Sequence, residues 1–487
     1  MVANITRFPV KYNSGAFWLG ALNILLFALA APRYSGSLAL YGLLAFCAAF
    51  MLWFGLTQNL GFGQKVLAIF LWLGIFFKLA THLIFRYPYV EPIGSFASTP
   101  GQYDQVLVVA IIAYAGACAA WGIAARHINP RKDDPLTLTE PAPPAADKLG
   151  TTVLLAAFIA LVVIANAINL RCGILRAGLV SRTILIWPAD FAISWLLGMG
   201  LSLCAAVVVL RACLSRKMIS WCLGAVIFEG ILSGATTLGR GLYLWHVFPV
   251  FWAVWMNRER LGAALPLRRL ILISVVAAAG FVATGGAVNI ARNYAYSNET
   301  TAPSLGRVAS AAALENAVAQ LSQLAVDRWI GLEGIMVAVG YPEKSLGLFK
   351  QLLAEKSAIG HISRYQFIAN AIAYTHMNAY KFQFGTLPGP AGFFYLSGSQ
   401  LLVFAGMFLV VLLGAVLEYG VFAATRNPFL YAVIAVWIAN TIAQMGVVPF
   451  NLTKQLFMIF VAVAFISFIQ SRWWGIGCEY NEISREI

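Results

Sequence analysis

Charge is scarce in this chain. Of 487 residues, 61% are hydrophobic and 11% charged, with a mean hydropathy of +0.79. A soluble globular protein carries about 25% charged residues, so the shortage excludes a soluble domain and indicates a polytopic membrane protein. Seven cysteines are present, but none forms a C-x-x-C pair and most fall in apolar segments, which argues against a metal or disulfide framework. No histidine pair has the H-E-x-x-H spacing, and neither a G-x-S-x-G elbow nor a phosphate-binding P-loop occurs. No small-residue cleavage site follows the first apolar stretch, so that stretch reads as a retained helix.

Long apolar runs take the place of charge. A membrane helix needs roughly 20 apolar residues. On that measure about twelve spans are expected, at 15–31, 36–56, 64–85, 105–125, 149–168, 189–210, 219–236, 241–257, 269–290, 397–417, 428–446 and 451–470. The fold class is therefore all-α, divided into membrane helices over 1–290, a large helical region over 291–396 and closing helices over 397–487. Residues 126–148, which contain RKDDPLTLTEPAPPAADK, read as a Pro-rich polar linker of disordered character. Arg7 and Lys11, RHINPRKDD, RACLSRK and NRERLGAALPLRR all fall on one side under this count, and the positive-inside rule makes that side cytoplasmic.

One apolar run is too long for a single helix. Between Ile219 and Met256 its only charged residues are Glu229 and Arg240, and Arg240 stands between two glycines in GATTLGRG. Gly234, Gly239 and Gly241 suit a tight reversal, so the run reads as two helices with Arg240 at their outer junction. Other arginines face the same side. NLRCGILRAGLVSR holds Arg171, Arg176 and Arg182 with no acidic residue, and the region after 290 adds Arg292 and Arg328. Guanidinium groups bind phosphate through a bidentate fork, so this set reads as an outward-facing anion site.

The outer region carries a helical stripe from Val308 to Val339 that runs through VDRWIGLEG, then expected helices at 341–356 and 361–382. In VDRWIGLEG, Asp327, Arg328 and Glu333 place acid, base and anion-binding groups within two helical turns. The region is dense in aromatic rings, and Trp329, Tyr365 and Tyr374 are candidates to stack on sugars. His82 and His246 read as packed or interfacial. Glu229 reads as protonated or bonded to a neighbouring helix, and Asp190 is expected to pair with an outer arginine.

An apolar helix, a short Gly/Ser/Thr stretch with arginine (SGATTLGRG) and a helix ending in NRER resemble the bacterial O-antigen polymerase (Wzy) type. So does the large outer region closed by TLPGPAGFFYLSGSQLLVFAGMFLVVLLGAVLEY. The resemblance implies a GT-C-like inner-membrane glycosyltransferase that joins undecaprenyl-pyrophosphate-linked oligosaccharide repeats at the periplasmic face. Its partners would be that lipid-linked substrate, membrane lipids and a polysaccharide chain-length regulator, with no nucleic acid. Gly239 stands where the family has a serine, so a hydroxyl would have to come from Thr236, Thr237 or elsewhere.

With a pyrophosphate leaving group, charge stabilisation and acceptor positioning are the main catalytic needs. Arg171, Arg176, Arg182, Arg240 and Arg292 are the expected pyrophosphate contacts, with Arg328 beside them. Glu333 is the expected base and His376 the reserve. The arginines and the absence of an acidic cluster suited to magnesium imply an enzyme without metal or other cofactor. An O-antigen ligase of the same architecture, or a lipid-linked oligosaccharide flippase, are the alternatives.

Overall fold

The computed structural model describes residues 14–128, 136, 138, 148–183, 185–186, 188–296, 326–356, 361–370, 380–381, 387–425, 427–445 and 456–464. Among these residues the chain is all-helical, without a β-strand. The principal helices are α1 (Ser14–Ala30), α2 (Leu38–Thr57), α3 (Phe62–Phe85), α4 (Pro100–Ile128), α5 (Lys148–Cys172), α6 (Ala189–Ser215), α7 (Ile219–Thr236), α8 (Leu242–Met256) and α9 (Leu267–Tyr296). They are followed by α10 (Leu332–Gly340), α11 (Leu346–Ala354), α12 (Arg364–Ile368), α13 (Gly389–Tyr395), α14 (Gln400–Thr425) and α15 (Pro428–Ala443).

Eight of the described helices are long and apolar enough to cross a membrane, and three shorter apolar helices accompany them. The chain is thus an α-helical protein built to be embedded in a membrane, because in hydrocarbon a helix satisfies its own backbone polar groups. Many large apolar side chains, such as Trp18, Phe46, Trp221, Leu272 and Leu401, are exposed among the described residues, as lipid-facing positions would be. α14 packs along α4, α15 along α3, and α4 also along α2. Small residues permit these approaches: Gly116 of α4 lies against the Phe404 backbone of α14, where a β-carbon would crowd its carbonyl oxygen at 2.6 Å.

Three of the long helices contain a π-turn, at Leu73–Phe77 in α3, Ala124–Ile128 in α4 and Leu196–Gly200 in α6. Such bulges leave carbonyls displaced from the α ladder and recur at functional sites. The turn in α3 immediately precedes Lys78. Beside it Gly74 meets the Ile330 backbone, where any β-carbon would collide with the Ile330 carbonyl.

The expected reversal between α7 and α8 is present over residues 237–241. Its left-handed residue is Leu238 at φ +54°, whereas Gly234, Gly239 and Gly241 keep other conformations. Gly234 and Gly241 serve close packing, against Thr284 and Trp245.

The expected helix through VDRWIGLEG is instead broken. Trp329 and Ile330 are non-helical, Gly331 adopts φ +152°, and α10 starts at Leu332. The break lets this segment seat in the π-turn of α3, which outweighs its helical periodicity. The expected 361–382 helix is also shorter, since α12 ends at Ile368 and residues 371–379 lie outside the described residues. Within the linker, Leu136 and Leu138 are buried. Asn257 fixes them by donating Nδ2–H to the Leu136 carbonyl at 2.7 Å and accepting from the Leu138 amide at 2.8 Å.

Candidate functional site

Of the expected anion-binding arginines, Arg240 and Arg292 meet at the 237–241 reversal, and the loop that carries Arg176 and Arg182 is bonded to it. The loop after α5 is pinned to it by the Ala177 amide, which donates to the Thr237 carbonyl at 2.7 Å. Asn169, in the last turn of α5, fastens both sides by donating to the Leu175 and Thr236 carbonyls at 3.0 and 3.1 Å. Arg292 of α9 donates its Nε–H to the Leu238 carbonyl at 2.8 Å, and Arg240 donates from Nη1 to Asn289 Oδ1 at 2.6 Å. Arg176 and Arg182 belong to the pinned loop, with the Arg182 amide donating to the Gly173 carbonyl at 3.0 Å.

Burial, with Arg182 close by, lowers the Arg176 pKa from its ordinary value, as expected where like charges are held together. Arg171 stands exposed at the end of α5. Lys381 joins the same region, since its carbonyl accepts from the Val180 amide at 3.1 Å. The two threonines proposed to replace the missing serine are engaged internally: Thr236 donates to Asn166 Oδ1 at 2.6 Å and Thr237 to the Ser233 carbonyl at 2.5 Å.

A second cluster forms where the 326–331 segment meets α3. Lys78 donates to both oxygens of Glu333, at 2.7 and 2.8 Å, and to the Asp327 carbonyl at 2.9 Å. The two side chains are 1% and 4% exposed. One turn along α3, His82 faces Asp327 Oδ1 through Nε2 at 2.8 Å and the Tyr87 carbonyl through Nδ1 at 3.1 Å. A carbonyl can only accept, so Nδ1–H donates to it and Nε2 is the nitrogen turned to Asp327. Tyr87 and Tyr89 pack their rings on the imidazole at centroid distances of 4.1 and 4.2 Å. Glu91 lies close by, its carboxyl pKa raised chiefly by burial and next by the charge of Glu333.

These contacts revise one premise of the sequence reading. An acidic cluster does exist here, and ligand atoms of His82, Asp327 and Glu333 lie within 4.8 Å of one another, close enough to hold a metal ion. His82 also has the metal-ligand habit of donating its other ring nitrogen to a carbonyl. The same group contains its own cation, however, because the Lys78 ammonium bridges both Glu333 oxygens and the Asp327 carbonyl.

Aromatic rings connect the two clusters. Trp245, one turn after Gly241, meets Phe70 edge-on at 5.6 Å, and Phe70 stacks on Trp329 at 5.5 Å. Trp329 is half-buried and next to exposed Arg328. Tyr365 is 1% exposed, so its ring belongs to the packing of the outer region rather than to an open face. His376 and Tyr374 lie outside the described residues. Asp190 makes no ion pair among the described residues, so its expected arginine partner is not found there.

Glu229 does bond a neighbouring helix. Its Oε1 lies 2.7 Å from His246 Nδ1 of α8 and accepts from Ser233 at 2.7 Å, while His246 Nε2 donates to the Gly198 carbonyl in the α6 π-turn at 3.1 Å. This polar hub ties α6, α7 and α8 together below the arginine turn.

Sequence reasoning missed Lys78 and Asn289 and read His82 as packed or interfacial. Lys78 had a signal: a lysine inside FLWLGIFFKLATHLIF, four residues before a histidine, is costly in a membrane helix and is by default functional. Asn289 had none. Comparison of the chain with protein-family models, curated proteins and solved structures finds no match.

Proposed function

We propose that the protein is a polyprenyl-pyrophosphate-dependent glycosyltransferase of the bacterial inner membrane. It would have twelve spans and GT-C-like architecture, and would join lipid-linked oligosaccharide repeats at the periplasmic face. The observation that carries this reading is that Arg240 and Arg292 are cross-linked at one helix reversal to which the loop bearing Arg176 and Arg182 is pinned by its backbone, so that three separate parts of the chain bring arginines to one region. The eight long and three shorter apolar helices, together with the helical residues 456–464 inside the expected last span, support the twelve-span count.

In this reading the acceptor hydroxyl attacks the anomeric carbon of the donor sugar. The bond from that carbon to the phosphate oxygen breaks, and polyprenyl pyrophosphate departs with the bond's electron pair. The arginines stabilise that charge, a role worth about 3 kcal/mol for one well-placed donor. Trp245 and Trp329 offer rings to the sugar between the two clusters. Glu333 accepts the hydroxyl proton. Lys78 holds its carboxylate in place, and the neighbouring His82–Asp327 pair gives the proton a further site.

Lys78 supplies a cation to the Glu333 carboxylate and the Asp327 carbonyl inside this cluster, and on that ground we take catalysis to run without a metal. The experiment is elongation of a defined lipid-linked repeat by the purified protein in excess EDTA, read as a ladder on a gel. A ladder supports the reading. Activity that disappears in EDTA and returns with magnesium refutes its metal-free form, and the absence of any elongation refutes the polymerase.

A further inference from the structure

Asn289 lies near the end of α9, three residues before Arg292, so the two share a helix face. That face and the 237–241 turn are cross-linked: Arg292 donates to the Leu238 carbonyl, and Arg240 donates to Asn289 Oδ1. Guanidinium has donors and no acceptor, so the contact fixes the amide orientation, with oxygen toward Arg240 and nitrogen away from it. Asn289 is 3% exposed, and its Nδ2 has no hydrogen-bond partner among the described residues. Buried amide donors are nearly always satisfied, and the cationic side chains at this turn, Arg240 and Arg292, offer donors and no acceptor. Their chemical complement is an anion with several oxygens.

We infer that Asn289 is a ligand of the pyrophosphate, donating from Nδ2 to a phosphate oxygen while its carbonyl anchors Arg240. The inference rests on the function proposed above. A diphosphate suits the site better than a phospholipid phosphodiester, because Arg240 and Arg292 stand at the turn with the loop of Arg176 and Arg182 pinned beside it, and a diphosphate brings more charge and more acceptor oxygens. The alternative is an asparagine that only positions Arg240.

Asn289→Asp separates the two roles. Aspartate still accepts from Arg240, and more strongly, but loses the donor and sets a negative charge against the ligand. The test is a titration of farnesyl pyrophosphate into the full-length protein in phosphatidylcholine nanodiscs, followed calorimetrically. A ligand role predicts that Asn289→Asp weakens binding by about a hundredfold or more, and Asn289→Ala by about tenfold, the usual scale for a hydrogen bond to a charged group. Should the aspartate variant not fold, Asn289→Ala is measured in the wild-type and Arg240→Ala backgrounds: a ligand role predicts a further loss when Arg240 is already absent, and no further loss there overturns the inference.

Wild-type affinity in Asn289→Asp, with binding lost in Arg240→Ala, overturns the inference and leaves the proposed function standing. No binding by the wild type overturns both. Equal displacement of the probe by nanodiscs enriched in phosphatidylglycerol assigns the anion to a lipid headgroup and overturns the commitment to pyrophosphate.

Discussion

Lys78→Met tests the second cluster most sharply. The substitution keeps a side chain of similar length and removes an ammonium that makes three hydrogen bonds, at 2.7, 2.8 and 2.9 Å. Glu333, 4% exposed, would then be a buried carboxylate without its counter-charge. Breaking a buried pair by removing one partner costs about 3–5 kcal/mol, whereas replacing both partners by apolar groups is often neutral. Lys78→Met should therefore destabilise the protein by about 3–5 kcal/mol, and adding Glu333→Met should recover most of that loss. Activity should not recover, because the double variant lacks the proposed base. The assay is reversible unfolding of the wild type, both single variants and the double variant in the same detergent, with elongation measured in parallel. A loss below about 1 kcal/mol for Lys78→Met, or strictly additive effects, would show that the pair does not hold the 326–331 segment on α3.

Three further outcomes are expected. Arg240→Lys should lose much of the elongation activity and Arg240→Ala about a hundredfold or more, since lysine cannot reproduce the guanidinium fork; full-length polymer from the lysine variant at matched expression would remove Arg240 from the phosphate site. The raised Glu91 pKa means that the folded state holds its proton more tightly than the unfolded chain does. Its favourable contribution is then complete below the ordinary carboxylate pKa and is lost as pH rises through the raised one. Glu91→Gln, which is permanently neutral, should accordingly raise the melting temperature by a few degrees at pH 7.5 and change it little at pH 4; an equal shift at both would contradict the burial account.

The helices were legible because lipid-facing segments must be apolar along their whole length, and the run from Ile219 to Met256 was visibly too long for one span. The arginines of the 171–182 loop and Arg240 could be grouped by composition and side. What the sequence could not display were contacts made by packing. Lys78 and Glu333 are 255 positions apart, and His82 and Asp327 are 245 apart. Their meeting depends on the π-turn at Leu73–Phe77 and on Gly74 and Gly331, which admit the backbone of a segment whose own periodicity suggests continuous helix. Arg240 was identified, but its anchor Asn289 was hidden in an otherwise ordinary membrane helix.

The central claim is that the arginine turn receives a polyprenyl pyrophosphate leaving group. The most direct measurement is single-turnover release of polyprenyl pyrophosphate from a labelled lipid-linked repeat by the purified protein in excess EDTA, compared with the Arg240→Ala variant. The account predicts one pyrophosphate-bearing lipid released for each repeat added to the growing chain, and release about a hundredfold slower in the variant. Release at the wild-type rate in Arg240→Ala, or elongation without release of the pyrophosphate-bearing lipid, would contradict it.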